Sequence, residues 1–145
     1  MKTIYTIGSA RKPLQQFIEL LRRMGVKEII DIRLRNSSQL IGWSKQPDFE
    51  YLLNQGFGIK YQHGQEFAPT EELLERYRNT HNWEEYEAGF KRLIEERQLE
   101  AQARLLLEKD GPCLLCTEPE PDKCHRRIVA EYLAGLMPDI EIRHL

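Results

Sequence analysis

The chain has 145 residues, of which 41% are hydrophobic and 30% charged, with a formal net charge of −2. That size suits one globular domain over residues 1–145, and the near-neutral balance excludes both a global basic field for nucleic acid and the acidic excess of a disordered chain. The opening residues from Met1 to Ile7 are too few and too polar for a secretory signal, and no apolar stretch reaches the ~20 residues of a membrane span. Three cysteines without such a signal point to a reducing, cytoplasmic setting, with free thiols or a metal in place of a disulfide framework.

Residues 3–7 form a β-rich run closed by Gly8 and Ser9, a strand and its turn. Leu14, Phe17, Ile18, Leu20 and Leu21 then recur near helical spacing after Pro13, and Gly25 offers the C-terminal cap. Residues 28–33 read as a second strand, which completes a βαβ unit. Asn36, Ser37 and Ser38 open a polar loop, Asp48 caps a short helix through Leu53, and residues 59–63 give a third strand. Thr70 caps a helix from Glu71 to about Tyr77. From Trp83 to Lys109 the pattern is helical, with a polar middle from Glu95 to Ala101 where the segment can break in two. Gly111-Pro112 ends it, residues 113–116 are the fourth strand, a helix starts at Asp122 or Lys123 and runs through Leu136, and residues 140–144 close the chain as a strand.

Strands alternating with helices predict an α/β fold: a single layered domain whose mostly parallel sheet of about five strands is flanked by helices. In such sheets ligands sit beyond the carboxyl ends of the strands, where loops lead into helix N-termini. Gly8, Ser9 and Arg11 follow the first strand, Arg33 and Arg35 the second, His63 and Glu66 the third, Cys116 and Glu118 the fourth. Asp31 and Arg33 share a strand face and can pair, either as an anion site or as a strand-end ion pair. Trp43, Phe49 and Phe57 read as cover for the core, and His81 and His144 carry no signal.

The densest chemistry lies in Cys113-Leu-Leu-Cys116-Thr-Glu118-Pro-Glu-Pro-Asp122-Lys-Cys124-His125-Arg126-Arg127. A metal reading would use a Cys₃His set, but positions three apart on a strand face opposite sides, so Cys113 reads as a small buried apolar residue. A thiol reading places Cys116 at a strand end and Cys124 in the first turn of the next helix, where amide hydrogens and the helix dipole favour a thiolate. His125 would be acid or base, Arg126 a clamp for a carboxylate or phosphate, and Glu118 an orienter. A phosphatase loop needs Arg six residues after its cysteine; Asp122 stands there, and no glycine-rich phosphate cradle follows. A structural reading, in which these groups only fix the turn, stays open beside it.

Tyr5-Thr-Ile-Gly8-Ser9, Ile30-Asp31-Ile32-Arg33, Tyr61-Gln-His63, Leu115-Cys116-Thr-Glu118 and Cys124-His125-Arg126-Arg127 occur in an order that resembles the family called domain of unknown function 488. Ser37-Ser38-Gln39-Leu40 and Ala68-Pro69-Thr70 resemble one of its subgroups. The resemblance implies one α/β domain with its motif residues near one another, and carries over to Gly8, Asp31, Arg33, Cys116, Glu118, Cys124, His125 and Arg126. Many relatives place His or Tyr after the first glycine, where this chain has Ser9.

The functional expectation is a small cytoplasmic enzyme or ligand-binding protein for an anionic, phosphorylated or nucleotide-like small molecule. Cys116, Cys124, His125 and Glu118 carry the chemistry in this reading, and Arg33, Arg126, Asp31, Gly8 and Ser9 bind the substrate. No cofactor, no metal and no membrane are expected. The alternatives are a non-catalytic module for a protein or nucleic acid, the latter less favoured because acidic and basic residues are interspersed, and a metal-binding protein built on Cys116, Cys124 and His125.

Overall fold

In the computed structural model, which describes residues 2–37 and 42–145, the strand β4 (Pro112–Cys116) is buried at every position. Such a strand must lie in mid-sheet with both faces covered, which is why it reads as a continuous apolar run. Around it stand β1 (Lys2–Gly8), β2 (Glu28–Asp31), β3 (Lys60–His63) and β5 (Ile140–His144), in the order β3-β2-β4-β1-β5. Every pairing is parallel. The fold is therefore an α/β layered one, as the alternation of elements predicts.

Six α-helices flank the sheet among the described residues. The helices α1 (Leu14–Arg23) and α2 (Asp48–Tyr51) cover one face. There Phe17, Ile18, Leu21, Phe49 and Leu53 pack on Ile7, Ile29, Cys113 and Leu115. The other face carries α3 (Glu71–Thr80), α4 (Trp83–Arg97), α5 (Glu100–Leu107) and α6 (His125–Ala134). Its core joins Trp83, Tyr86, Phe90, Leu106, Ile128 and Leu133 to Ile4, Ile30, Ile32 and Leu114. The alternation Cys113, Leu114, Leu115 between the two cores follows from the strand's period of two.

Local signals account for most boundaries. The Thr70 hydroxyl accepts from the Leu73 amide at 3.2 Å and Asn82 Oδ1 from the Glu85 amide at 3.1 Å, so both helices start at side-chain caps. Gln98 takes a left-handed φ of 52° and divides α4 from α5, within the polar stretch where a break is expected. Trp43 and Phe57 pack against the core beside the fully buried Phe49, as their cover role requires. Several boundaries differ from expectation. The strand β2 ends at Asp31 and not at Arg33. The short helix expected to be capped by Asp48 has Pro47 at its N-cap with no side-chain cap, ends at Tyr51 and gives way to a π-helical turn over Leu52–Gly56. The helix α3 continues past Tyr77 to Thr80. The last helix starts at His125, and Cys124, expected inside its first turn, is the extended N-cap residue with φ −142° and ψ 140°. Residues 119–124 before the helix form bends and a turn, and the prolines at 119 and 121 have no amide hydrogen with which to extend the helix backward. Ser38, Gln39 and Leu40, named above, fall outside the described residues.

The strand order sets the site. The path β1, β2, β3 moves one way across the sheet, and β4 then returns to fill the gap between β1 and β2. The register pairs Gly8 with Cys116 and Asp31 with Leu115, so three strands end at one level. The Ser9 amide donates to the Cys116 carbonyl at 3.0 Å and the Ile32 amide to the Leu115 carbonyl at 3.0 Å, which extends that level into the loops.

Candidate active site: a thiol pair at the end of the central strand

Cys116 leaves the end of β4 toward the α4–α6 side of the sheet and meets Cys124 at the cap of α6. Their sulfurs lie 2.9 Å apart, and both residues are buried. The Glu118 amide hydrogen-bonds the Cys116 sulfur and the Arg126 amide the Cys124 sulfur. His125, first residue of α6, sets Nδ1 at 3.6 Å from Cys116 Sγ and Nε2 at 2.7 Å from the Ile32 carbonyl oxygen. A carbonyl can only accept, so Nε2 carries a proton and Nδ1 is the nitrogen that exchanges one with the thiol. The Phe90 ring meets the imidazole edge-on at 5.4 Å and holds its plane.

These neighbours separate the two thiols. The Cys124 S–H bond to Cys116 lowers the Cys116 pKa well below its ordinary value; burial opposes this, and the charge and hydrogen bond of His125 reinforce it. The same bond, together with burial, raises the Cys124 pKa. Burial pulls His125 down, but the Cys116 charge and hydrogen bond and the Ile32 carbonyl outweigh it and raise its pKa. These directions favour the charged forms of Cys116 and His125 and keep Cys124 as the thiol donor. Cys113 sits in the opposite core, its pKa raised by burial.

The pair forms the floor of a cavity of about 550 Å³. Arg33, Arg35, Arg78 and Lys123 line it against the carboxylates of Glu71 and Glu118, and Tyr77, Trp83 and Tyr86 form an aromatic wall. Trp83 and Tyr86 stack at 5.2 Å. Burial and the charges of both cysteines raise the Tyr86 pKa, so its phenol stays protonated. Among the described residues Arg78 and Lys123 have no hydrogen-bond or ion-pair partner, whereas Arg35 is bonded to Glu71 at 2.6 Å. Four basic residues thus line the cavity against two acidic ones, although Arg33 and Arg35 are paired with Asp31 and Glu71.

Of the residues singled out in the sequence, Cys116, Cys124, His125, Glu118 and Arg33 come together on this cavity. Asp31 stands behind Arg33: its carboxylate takes Arg33 Nε at 2.8 Å, Nη2 at 2.7 Å and the Tyr61 hydroxyl at 2.5 Å. Arg33 also donates to the hydroxyl and carbonyl of Ser44. Burial works against its charge, but the hydrogen bond and charge of Asp31 outweigh it and raise the Arg33 pKa. Arg126 does not line the cavity. It is fully buried, donates from Nε to the Thr6 hydroxyl at 3.1 Å, and bonds the carbonyls of Glu118 and Pro119. Gly8 serves the same loop, since a side-chain carbon there would strike the Glu118 carbonyl. Ser9 is buried behind β4, and its hydroxyl has no hydrogen-bond partner among the described residues.

Sequence reasoning missed His81, Arg78, Lys123, Trp83 and Tyr86 as cavity residues. His81 had no signal in the sequence, and its left-handed φ of 54° at the C-cap of α3 shows only in the fold. The others read as ordinary helix and turn residues until α3 and α4 are folded over the strand ends.

Cys116, Cys124 and His125 are the described residues that could hold a metal, with ligand atoms all within 4.8 Å of one another. Two thiolates that share a tetrahedral zinc at ~2.3 Å stand about 3.8 Å apart, so the sulfurs, 2.9 Å apart here, would have to separate by roughly an ångström to hold one.

Fold and site together define a parallel α/β protein with a buried Cys-Cys-His cluster under a cationic cavity. The chain belongs to the family described as domain of unknown function DUF488, whose model matches residues 13–133. Asp31, Arg33, Cys116, Glu118, Cys124, His125 and Arg126 fall inside the matched span, and Gly8 and Ser9 precede it. No curated protein matches the chain, and no solved structure does.

Proposed function

We propose that this chain is a small cysteine-dependent enzyme that acts on an anionic small molecule bound in the cavity. Cys116 is the nucleophile, His125 its proton partner and Cys124 its supporting thiol. One observation carries the reading: Cys116 lies 3.6 Å from an imidazole nitrogen whose partner nitrogen is fixed on a backbone carbonyl, in a cavity lined by Arg78 and Lys123, which have no partner among the described residues. That is the arrangement by which a weak thiol nucleophile becomes reactive at neutral pH. Arg33 serves as a fixed positive wall, and Glu118 lines the same cavity. Of the anionic groups considered, phosphate is the less suited, because the amides of Glu118 and Arg126 that could hold one are directed at sulfur. Free thiols without a disulfide suit a reducing, cytoplasmic compartment.

The test is alkylation of Cys116 by iodoacetamide as a function of pH, resolved by peptide mass spectrometry, with and without citrate as an anionic occupant. Modification with an apparent pKa well below the ~8.5 of an ordinary thiol, slowed by citrate, is the expected result. A thiol protected at every pH sinks the reading, and stoichiometric metal in freshly purified protein, released with exposure of both thiols by a chelator, would replace it with a metal site.

A further inference from the structure

The separation of the two sulfurs points past simple nucleophilic chemistry. At 2.9 Å they need to approach by less than an ångström to reach the ~2.05 Å of a disulfide bond. Both thiols line the cavity, the space through which a substrate sulfur would approach Cys116 and a released thiol would leave. The third thiol, Cys113, is walled off in the opposite core and cannot compete. An oxidant such as a peroxide is small and uncharged and needs neither a cavity of about 550 Å³ nor its cations. An organic disulfide bearing carboxylates uses both.

We propose that Cys116 and Cys124 are a two-electron dithiol centre that reduces an anionic organic disulfide bound in this cavity, an inference that rests on the thiolate reading above. The Cys116 thiolate attacks one substrate sulfur; a Cys116–substrate disulfide forms, the substrate S–S bond breaks, and the departing thiolate takes the His125 proton. The now neutral Nδ1 accepts the Cys124 proton, and Cys124 attacks the Cys116 sulfur. The Cys116–Cys124 disulfide forms, and the second substrate thiolate leaves with that proton. The protein loses two electrons and two protons, and the substrate gains both as two thiols. Return to the dithiol uses a cellular thiol as reductant by the same exchange.

The experiment uses the reduced full chain under anaerobic conditions with glutathione disulfide as the anionic probe and hydroxyethyl disulfide as the neutral one. Wild type is expected to release two glutathiones per chain and to carry a Cys116–Cys124 disulfide by peptide mapping. Cys124→Ser is expected to stop at one glutathione retained on Cys116. The anionic probe should react about tenfold faster than the neutral one at low salt, with the gap closing at high salt. If both thiols stay reduced while iodoacetamide still modifies Cys116 at low pH, this inference falls and the thiolate reading stands; if Cys116 resists both reagents, both fall. Equal or reversed probe rates overturn the anionic substrate class. Should Cys124→Ser fail to fold by circular dichroism, the wild-type map decides, and a disulfide that includes Cys113 counts against the proposal.

Discussion

His125 donates from Nε2 to the Ile32 carbonyl oxygen at 2.7 Å, which ties the first residue of α6 to the loop after β2. The bond fixes which imidazole nitrogen faces Cys116, so the pairing of thiol and ring depends on an element distant in sequence. His125→Asn should therefore raise the Cys116 pKa toward its ordinary value and slow alkylation at pH ~7 about tenfold for each unit by which the new pKa exceeds that pH. A pH–rate profile of the two proteins checks this.

The same pair predicts how stability depends on pH. His125 has a raised folded pKa, so its contribution is present below the unfolded value of 6.5 and is lost as pH rises through the folded one. Cys116 has a lowered folded pKa, so its contribution is present above the unfolded value of 9.0 and is lost as pH falls through the folded one. The stability advantage of wild type over His125→Asn should accordingly peak between the two folded values and decline on both sides. Urea melts across that range measure it, and a pH-independent difference would show that the ion pair does not form.

Asp31 and Arg33 form a buried ion pair. Asp31→Asn leaves the guanidinium without its counter-charge and should cost about 3–5 kcal/mol in chemical denaturation. Tyr61→Phe removes one hydrogen bond to a charged group and should cost less, about 1.5–3 kcal/mol. A loss of cavity binding with no change in either melt would instead make Arg33 an anion contact.

Arg126 is fully buried with its donors on Thr6 and on the Glu118 and Pro119 carbonyls. Arg126→Ala strands those carbonyls and should destabilise the fold by about 3 kcal/mol. Gly8→Ala, which forces the same loop outward, should shift the Cys116 pKa because the Glu118 amide moves with it. An Arg126→Ala protein of wild-type stability that binds anions weakly would restore the clamp role expected from sequence.

Arg78 and Lys123 stand exposed on the cavity with no partner among the described residues. The double variant Arg78→Gln, Lys123→Gln should leave stability within about 0.5 kcal/mol. Protection of Cys116 by citrate should weaken in it, and the salt dependence of that protection should flatten. Unchanged protection would place the anion elsewhere.

Local patterns in the chain marked most of the elements and grouped the inner thiols and imidazole. Apolar runs marked β1 and β4, caps at Thr70 and Gly25 marked helix ends, and the clustering of Cys116, Glu118, Cys124 and His125 needed only one strand, one turn and one helix. These are local properties, decided by propensity, period and spacing over a few residues. Tertiary structure decided the rest. Insertion of β4 between β1 and β2 is a long-range choice with no local trace, and it alone brings Ile32 to His125 and Arg33 to the cavity. Arg126 looked like an anion clamp because a guanidinium near a helix start resembles one. Its direction was set by the Glu118–Pro119 carbonyls, which needed a donor once the loop folded over Gly8. Trp83, Tyr86 and Arg78 gained meaning only when α3 and α4 closed over the strand ends, because a cavity belongs to packed elements and not to any one of them.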